Sequence, residues 1–228
     1  TAGAINITTR APSFEFEGKG EVSLGNYNFK QGKASISGPV ADNLAARISV
    51  TGTGRRGTVF NTTTNQDIQS QDNVGVRGAL LWRPTGDLDV TVSGDWNLQD
   101  PICCAFSYGG YGQTQRAANR QYPALVRAAQ VLFPDVTPAN ASPFTYTTDT
   151  DAALAARNEH GGLSLRAVWD LDDANTLTSI SAWRYWDWGP ANDRDYTAFP
   201  IYTRVNNPTL QDQYTQEFRF NHTGNGFD

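Results

Sequence analysis

The chain has 228 residues, with 18 lysines and arginines against 23 aspartates and glutamates, a net charge of −5 and a mean hydropathy of −0.49. Charged residues make up 18%, below the roughly 25% of soluble domains, and the basic ones are scattered, which argues against a nucleic-acid surface. No run of about 18 apolar residues occurs, which excludes a transmembrane helix but not a β-barrel, where only alternate residues meet lipid.

In chain order, residues 1–12 read as the last strand of a preceding unit (Ala4, Ile5, Ile7) followed by a linker at Arg10-Ala11-Pro12. There is no methionine and no basic leader with an apolar stretch, so a signal peptide is expected to have been removed or to lie upstream. Eight strands are then predicted from apolar residues at every second position, the period of a strand with one face in apolar surroundings and one in water. Residues 14–25 set Phe14, Phe16, Gly18, Gly20, Val22 and Leu24 against Glu15, Glu17, Lys19, Glu21 and Ser23. Residues 28–40 alternate in their second half only (Ala34, Ile36, Gly38, Val40). Residues 44–55 set Leu44, Ala46, Ile48, Val50, Gly52 and Gly54 against Ala45, Arg47, Ser49, Thr51, Thr53 and Arg55. Residues 74–82 give a weaker face of Val74, Val76, Gly78, Leu80 and Trp82. The clearest case is 88–99, with Leu88, Val90, Val92, Gly94, Trp96 and Leu98 against Asp89, Thr91, Ser93, Asp95, Asn97 and Gln99. Leu163, Leu165, Ala167 and Trp169 make a sixth face, and Tyr214, Gln216, Phe218 and Phe220 an eighth. Between them, 176–187 has apolar residues on both parities, so its facing is open. Strands of about ten residues suit a tilted crossing of a bilayer.

The connections alternate in length. Residues 39–43, 84–87 and 170–175 are tight, whereas 56–72, 100–158 and 188–212 are long; only Gly25-Asn26-Tyr27 is a short connection on the long side. Outer-membrane barrels sort their turns and loops in this way, and a soluble sandwich has no reason to.

Catalytic chemistry is not apparent, and the chain is expected not to be an enzyme. His160 and His222 stand far apart with no partner at metal-ligand spacing. Asp170, Asp172, Asp173 and Asn175 resemble a calcium loop but lack its Gly and Glu, and so read as turn formers. Asp193 and Asp195 could pair as acid and base, and are read instead as a solvated loop; no Gly-x-Ser-x-Gly elbow occurs. Cys103 and Cys104 are adjacent; in an oxidising compartment they can form a vicinal disulfide, or stand as free thiols or bridge elsewhere. Within the long connection, Ser107-Tyr108-Gly109-Gly110-Tyr111-Gly112 reads as an aromatic tip, and residues 122–133 as a short amphipathic helix.

The opening Gly3-Ala4-Ile5-Asn6-Ile7-Thr8-Thr9-Arg10-Ala11-Pro12 resembles the end of the plug domain in TonB-dependent outer-membrane receptors, where the chain leaves the plug for the first barrel strand. Similar to the same family, in order and spacing, are Leu24-Gly25-Asn26-Tyr27-Asn28, Gly38-Pro39-Val40-Ala41-Asp42 leading to Ala46-Arg47, and Gly75-Val76-Arg77-Gly78 through Trp82-Arg83-Pro84. Thr178-Ser179-Ile180-Ser181-Ala182-Trp183-Arg184 and Gln216-Glu217-Phe218-Arg219-Phe220 complete the match.

The resemblance implies an all-β chain, part of an antiparallel transmembrane β-barrel, with about eight of the 22 strands such transporters use. Residues 1–12 would be the C-terminal end of the plug and its linker, and 13–228 the N-terminal part of the barrel. It further implies the outer membrane of a Gram-negative bacterium, lipid around the barrel, and a TonB complex acting through a plug segment upstream. The implied ligand is scarce, by default a ferric siderophore or other iron complex; no cofactor and no nucleic acid enter. By the same analogy Tyr108, Tyr111, Trp186, Trp188 and Tyr196 are the residues that stack on the ligand. Trp186 and Trp188 could equally belong, with Trp82, Trp96 and Trp169, to the aromatic girdles at the membrane surfaces. The alternative is a small self-contained eight-stranded barrel with a structural or adhesive role. The plug-like opening, the glycine-rich lipid faces and a turn-like ending at 224–228 count against it.

Overall fold

The computed structural model describes residues 8–104, 106, 110–137, 144–202 and 205–224. The strands in chain order are β1 (Glu17–Gly25), β2 (Phe29–Ala41), β3 (Leu44–Arg55), β4 (Val59–Asn61), β5 (Gln66–Ile68), β6 (Gln71–Thr85) and β7 (Leu88–Gln99). They continue as β8 (Thr147–Thr148), β9 (Ala155–Asp170), β10 (Asn175–Asn192), β11 (Val205–Asn206) and β12 (Thr209–His222), with helix α1 (Tyr122–Leu132) between β7 and β8. Among the described residues no helix is long and apolar enough to cross a membrane.

The eight long strands form an antiparallel meander, each paired with the next long strand in the chain: β1-β2-β3-β6-β7-β9-β10-β12. β1 and β12 are not paired with each other, so the sheet is open. That removes the self-contained eight-stranded barrel, which needs its first and last strands joined. The short connections lie at one end of the sheet and the long ones at the other. The one short connection at the long-loop end is a tight turn: Tyr27 and Asn28 have φ 59° and 57°, and Phe29 N–H donates to the Asn26 carbonyl at 3.2 Å. Two successive left-handed residues make a turn whose twist matches that of a hairpin.

Register carries one face across every strand. The row Leu44–Trp82–Val90–Ala167 and the row Leu80–Val92–Leu165 run through paired positions, and their larger side chains stand exposed: Leu80 44%, Trp82 46%, Val92 44%, Leu165 45%. An apolar face this continuous and this exposed needs an apolar surrounding. On β7 it runs from Leu88 to Leu98, about 33 Å along the strand at about 3.3 Å per residue and about 25 Å along the normal at a tilt of about 40°. Aromatic side chains stand at both ends of it, Trp82, Trp169 and Phe220 toward the tight turns and Trp96, Trp183 and Tyr214 toward the loops. That is the placement of membrane girdles.

The opposite face is polar and carries an ion-pair row. Asp95 Oδ1 accepts from Arg184 Nη1 at 2.6 Å and from Arg77 Nη1 at 3.2 Å. Ser93 and Ser164 share a hydrogen bond of 2.8 Å in the next row. The segment before β1 lies across this face. Ser13 N–H donates to Ser37 Oγ on β2 (2.9 Å), Arg47 Nε on β3 to the Ala11 carbonyl (2.9 Å), and Arg77 Nη2 on β6 to Thr9 Oγ1 (3.3 Å). Alternate linker residues are thus held by successive strands, and residues 8–13 run across the strands rather than along them. Residues 1–7, which carry the first half of the plug-like opening, are outside the described residues.

Four boundaries differ from those read in the sequence. β1 begins at Glu17 rather than residue 14, because Phe14 turns to place its ring under the Arg83 guanidinium, 5.0 Å away. β9 begins at Ala155, β10 extends to Asn192 and β12 begins at Thr209, so parts of the expected loops 100–158 and 188–212, Trp188 included, are strand. These extensions rise beyond the apolar band, where neither face requires apolar residues, and alternation gives no signal. The undecided facing of 176–187 is settled by register: Leu177, Trp183 and Tyr185 join the apolar face, and Arg184, Trp186 and Trp188 the polar one.

Candidate functional site

At the loop end the connections fold into a crown. The hairpin β4–β5 rises between β3 and β6, and β8, from the long β7–β9 connection, adds to β4 in parallel. Asn61, at the tip of β4 and 1% exposed, ties these pieces together. Its Nδ2 donates to the Thr150 carbonyl at 2.9 Å and to Thr150 Oγ1 at 3.1 Å, and its Oδ1 accepts from Thr63 N–H and Thr64 N–H. Thr63 Oγ1 reaches the Asp149 carbonyl and Thr148 Oγ1 the Phe106 carbonyl. Removing a buried hydrogen-bonding group costs about 1–3 kcal/mol when its partners are left unmet. Asn61→Ala is therefore expected to loosen the crown by that amount while leaving the sheet intact. Protease cleavage within 100–154 should quicken, and the denaturant midpoint of the sheet should hold.

The connection after β10 docks on the same crown. Asp193, 0% exposed, accepts with Oδ1 from Asp195 N–H (2.9 Å) and Tyr196 N–H (2.8 Å). Asp195 in turn accepts from Thr197 N–H and Tyr202 N–H. Asp151 N–H donates to the Thr197 carbonyl at 3.3 Å. Asp193 and Asp195 are thus built into the crown rather than forming the solvated loop expected from sequence, because an aspartate followed by free backbone N–H groups folds the chain back onto its own carboxylate. Burial first, then the neighbouring Asp193, Asp195 and Asp149 carboxylates, push Asp151 up to about 6. Asp193 is raised as well, chiefly by burial.

The aromatic residues singled out in the sequence fall in different places. Trp186 and Trp188 stack on the polar face of β10, with ring centroids 5.6 Å apart and planes at 11°, and Trp186 Nε1 donates to Asn158 Oδ1 at 2.5 Å. Their facing removes both from the girdles, which need the apolar face. Beside them a hollow of about 300 Å³ is lined by His160, Arg184, Tyr185, Trp186, Gln211 and Gln213. Tyr196, in the crown, meets the edge of Phe106 at 5.2 Å. Tyr111 is exposed, its ring 4.7 Å from that of Tyr122 at the start of α1. Tyr108 lies outside the described residues. The structure therefore brings Trp186 and Trp188 together on β10, while Tyr111 packs in the long β7–β9 connection against Tyr122.

Cys103 and Cys104 are bonded to each other, with Cys104 at φ 76°. The neighbouring Ile102 carbonyl accepts from Gln69 N–H and Ser70 N–H, joining the start of the long connection to the end of the β4–β5 hairpin. His222 meets Asn175 Oδ1, and Asp172 Oδ1 accepts from Ala174 N–H and Asn175 Nδ2, so the calcium-like run is a closed turn. Among the described residues no three His, Cys, Asp or Glu side chains are placed to hold a metal ion. Sequence reasoning did not find Asn61, Asp149 or Asp151. The only cue was the turn-forming run Asn61-Thr62-Thr63-Thr64-Asn65, and its partners lie almost ninety residues away.

No family model matches the sequence. Among solved structures, the siderophore receptor PiuA from Acinetobacter baumannii is similar over 96% of this chain and 29% of its own, with a TM-score of 0.69 at 11% identity. The ferric-catecholate import receptor Fiu from E. coli K12 is similar in its closed form over 97% of this chain and 31% of its own (TM-score 0.65, 12% identity). Its open form matches over 93% and 31% (TM-score 0.59, 13% identity). The chain spans about three tenths of the length of these receptors, and what it shares with them is the fold.

Proposed function

We infer that this chain is part of the wall of a TonB-dependent outer-membrane receptor of a Gram-negative bacterium, one that takes up a ferric siderophore or another iron complex and performs no covalent chemistry. The carrying observation is the sheet itself: an apolar face about 25 Å tall by strand geometry, a polar face opposite it, and an open meander whose fold is that of a siderophore receptor and a ferric-catecholate import receptor. The linker laid across the polar face supports a plug upstream of Thr8, since a chain leaving a plug must cross the barrel wall from inside. On this reading the open edges of β1 and β12 pair with the remaining strands, which would otherwise leave two long templates for aggregation.

The polar face then lines the lumen, and Trp186 and Trp188 stand at its loop end, where a ligand arrives from outside. Stacked indoles on a solvent-filled wall offer flat apolar area to an aromatic or chelated ligand, and an aromatic contact of this kind is worth about 0.5–1.5 kcal/mol. Trp188→Ala in the full-length receptor is expected to weaken ligand binding by about threefold to tenfold, read by quenching of tryptophan fluorescence. Uptake of radiolabelled iron by cells with and without the receptor, and with and without TonB, tests the function directly. Uptake that ignores the receptor or persists in full without TonB would overturn it.

A further inference from the structure

We propose that the carboxyl pair Asp151 and Asp193 carries a proton in the closed crown, making the junction between the long β7–β9 connection and the connection after β10 a latch that closes in acid and loosens in alkali. Asp193 is fully buried and Asp151 half-buried, and each keeps one carboxyl oxygen out of water. Asp193 is 0% exposed, and its Oδ2, like Asp151 Oδ1, is buried with no hydrogen-bond partner. The two belong to different connections joined by the bond from Asp151 N–H to the Thr197 carbonyl, and Thr150 and Ala152 of the one and Thr197 and Phe199 of the other are buried.

The charges that act on Asp151 are those of Asp193, Asp195 and Asp149, all negative. Among the described residues no salt bridge reaches Asp151 or Asp193: Arg55 donates to the Gln69 carbonyl at 2.8 Å and leaves its buried Nε unpartnered, Arg56 pairs with Asp67 at 3.4 Å, and Arg194 is exposed to solvent. Buried carboxyl oxygens without a counter-charge favour the neutral form, and a proton supplies it where, among the described residues, the ligands for a metal ion are not assembled. The step is a simple protonation. One proton from bulk water converts one carboxylate of the pair to a carboxylic acid, the charge of the pair goes from −2 to −1, and the new O–H donates where an orphaned oxygen could only accept. Release returns the proton to water and leaves two like charges enclosed, which part the two connections.

The sign follows from linkage. The raised acid favours the closed state most below the ordinary aspartate range, and that preference is lost as pH rises through about 6. Against an open state with an ordinary aspartate, closure should weaken by about tenfold between pH 5 and pH 8.

Hydrogen exchange on the full-length protein folded in detergent, corrected for intrinsic rates, tests this. Amides of residues 149–152 and 195–197 should lose about tenfold in protection from pH 5 to pH 8, while the strands of the sheet keep theirs. In Asp151→Asn, which imitates the protonated acid, protection should no longer change with pH. Asp193→Asn keeps the Oδ1 acceptor for Asp195 and Tyr196 and serves as the second variant should the first not fold. Wild-type protection that is flat with pH overturns the latch, as does pH dependence that survives in the variants. Restoration of protection at pH 8 by calcium alone would equally overturn it, by making the pair a cation site.

Discussion

Leu165→Arg is expected to destabilise the membrane-inserted protein by about 2–4 kcal/mol, the cost of an arginine on the lipid face near the midplane of a barrel. Leu165 lies in the row with Val92 of β7 and Ser181 of β10 and is 45% exposed. It stands between the aromatic ends of the apolar band, with Trp169 toward the turns and Trp183 toward the loops, so the new guanidinium has to snorkel past apolar neighbours to reach water. The neighbouring residue, Arg166, already carries that charge on the polar face. The comparison variant Arg166→Leu should therefore cost far less. Unfolding by urea in phospholipid vesicles, followed by tryptophan fluorescence, measures both, and a cost below about 1 kcal/mol for Leu165→Arg would mean that this face does not meet lipid.

The second large effect is expected at Gly162. It sits on the polar face in a row between Asp95 and Arg184, and its missing side chain is what allows Arg184 to lean across β9 and reach Asp95 at 2.6 Å. A Cβ there would lie 2.1 Å from the Trp183 carbonyl oxygen, 2.9 Å from Arg184 Cδ and 3.0 Å from Arg184 Cα. Two of those contacts are with backbone atoms of the paired strand, so relief requires the β9–β10 ladder to shift and the ion pair to open. Gly162→Ala should thus cost about 2–3 kcal/mol, at the upper end for overpacking, whereas Gly189→Ala on β10, with nothing within 4 Å of its Cβ, should be close to neutral. Equal midpoints for the two variants in the same urea titration would show that the close approach at Gly162 has no energetic weight.

Gly161 plays the matching part on the apolar face. It lies between Trp96 and Tyr185 in register, and over it both side chains reach Glu159, Trp96 Nε1 at 2.9 Å and the Tyr185 hydroxyl at 3.2 Å. Together with Arg157 and Asp187 this forms a polar cluster at the loop edge of the band. An amphipathic aromatic with its polar tip so engaged is suited to the boundary between lipid and water. The glycine pair reads in the sequence only as a gap in alternation, since what it accommodates comes from two other strands.

How much could be read from the chain depends on the range of the interaction concerned. Alternation at β1, β3, β7 and β12 is a property of neighbouring residues and was visible there, together with the order of strands and the sorting of short turns from long loops. The placement of Trp82, Trp96 and Trp169 on that face followed from the same period of two, which no tertiary contact could alter without slipping the whole register. Tertiary structure alone decided the rest. β10 has apolar residues on both parities, so its facing, and with it the place of Trp186 and Trp188 on the polar face, came from pairing with β9 and β12. Asn61 and Thr150, Asp151 and Thr197, and Asp95 and Arg184 are joined across long stretches of chain, and a pairing of single polar groups at such distances leaves no periodic trace. Periodicity records the surroundings of a strand, and hydrogen bonds between loops record only where folding has brought their ends.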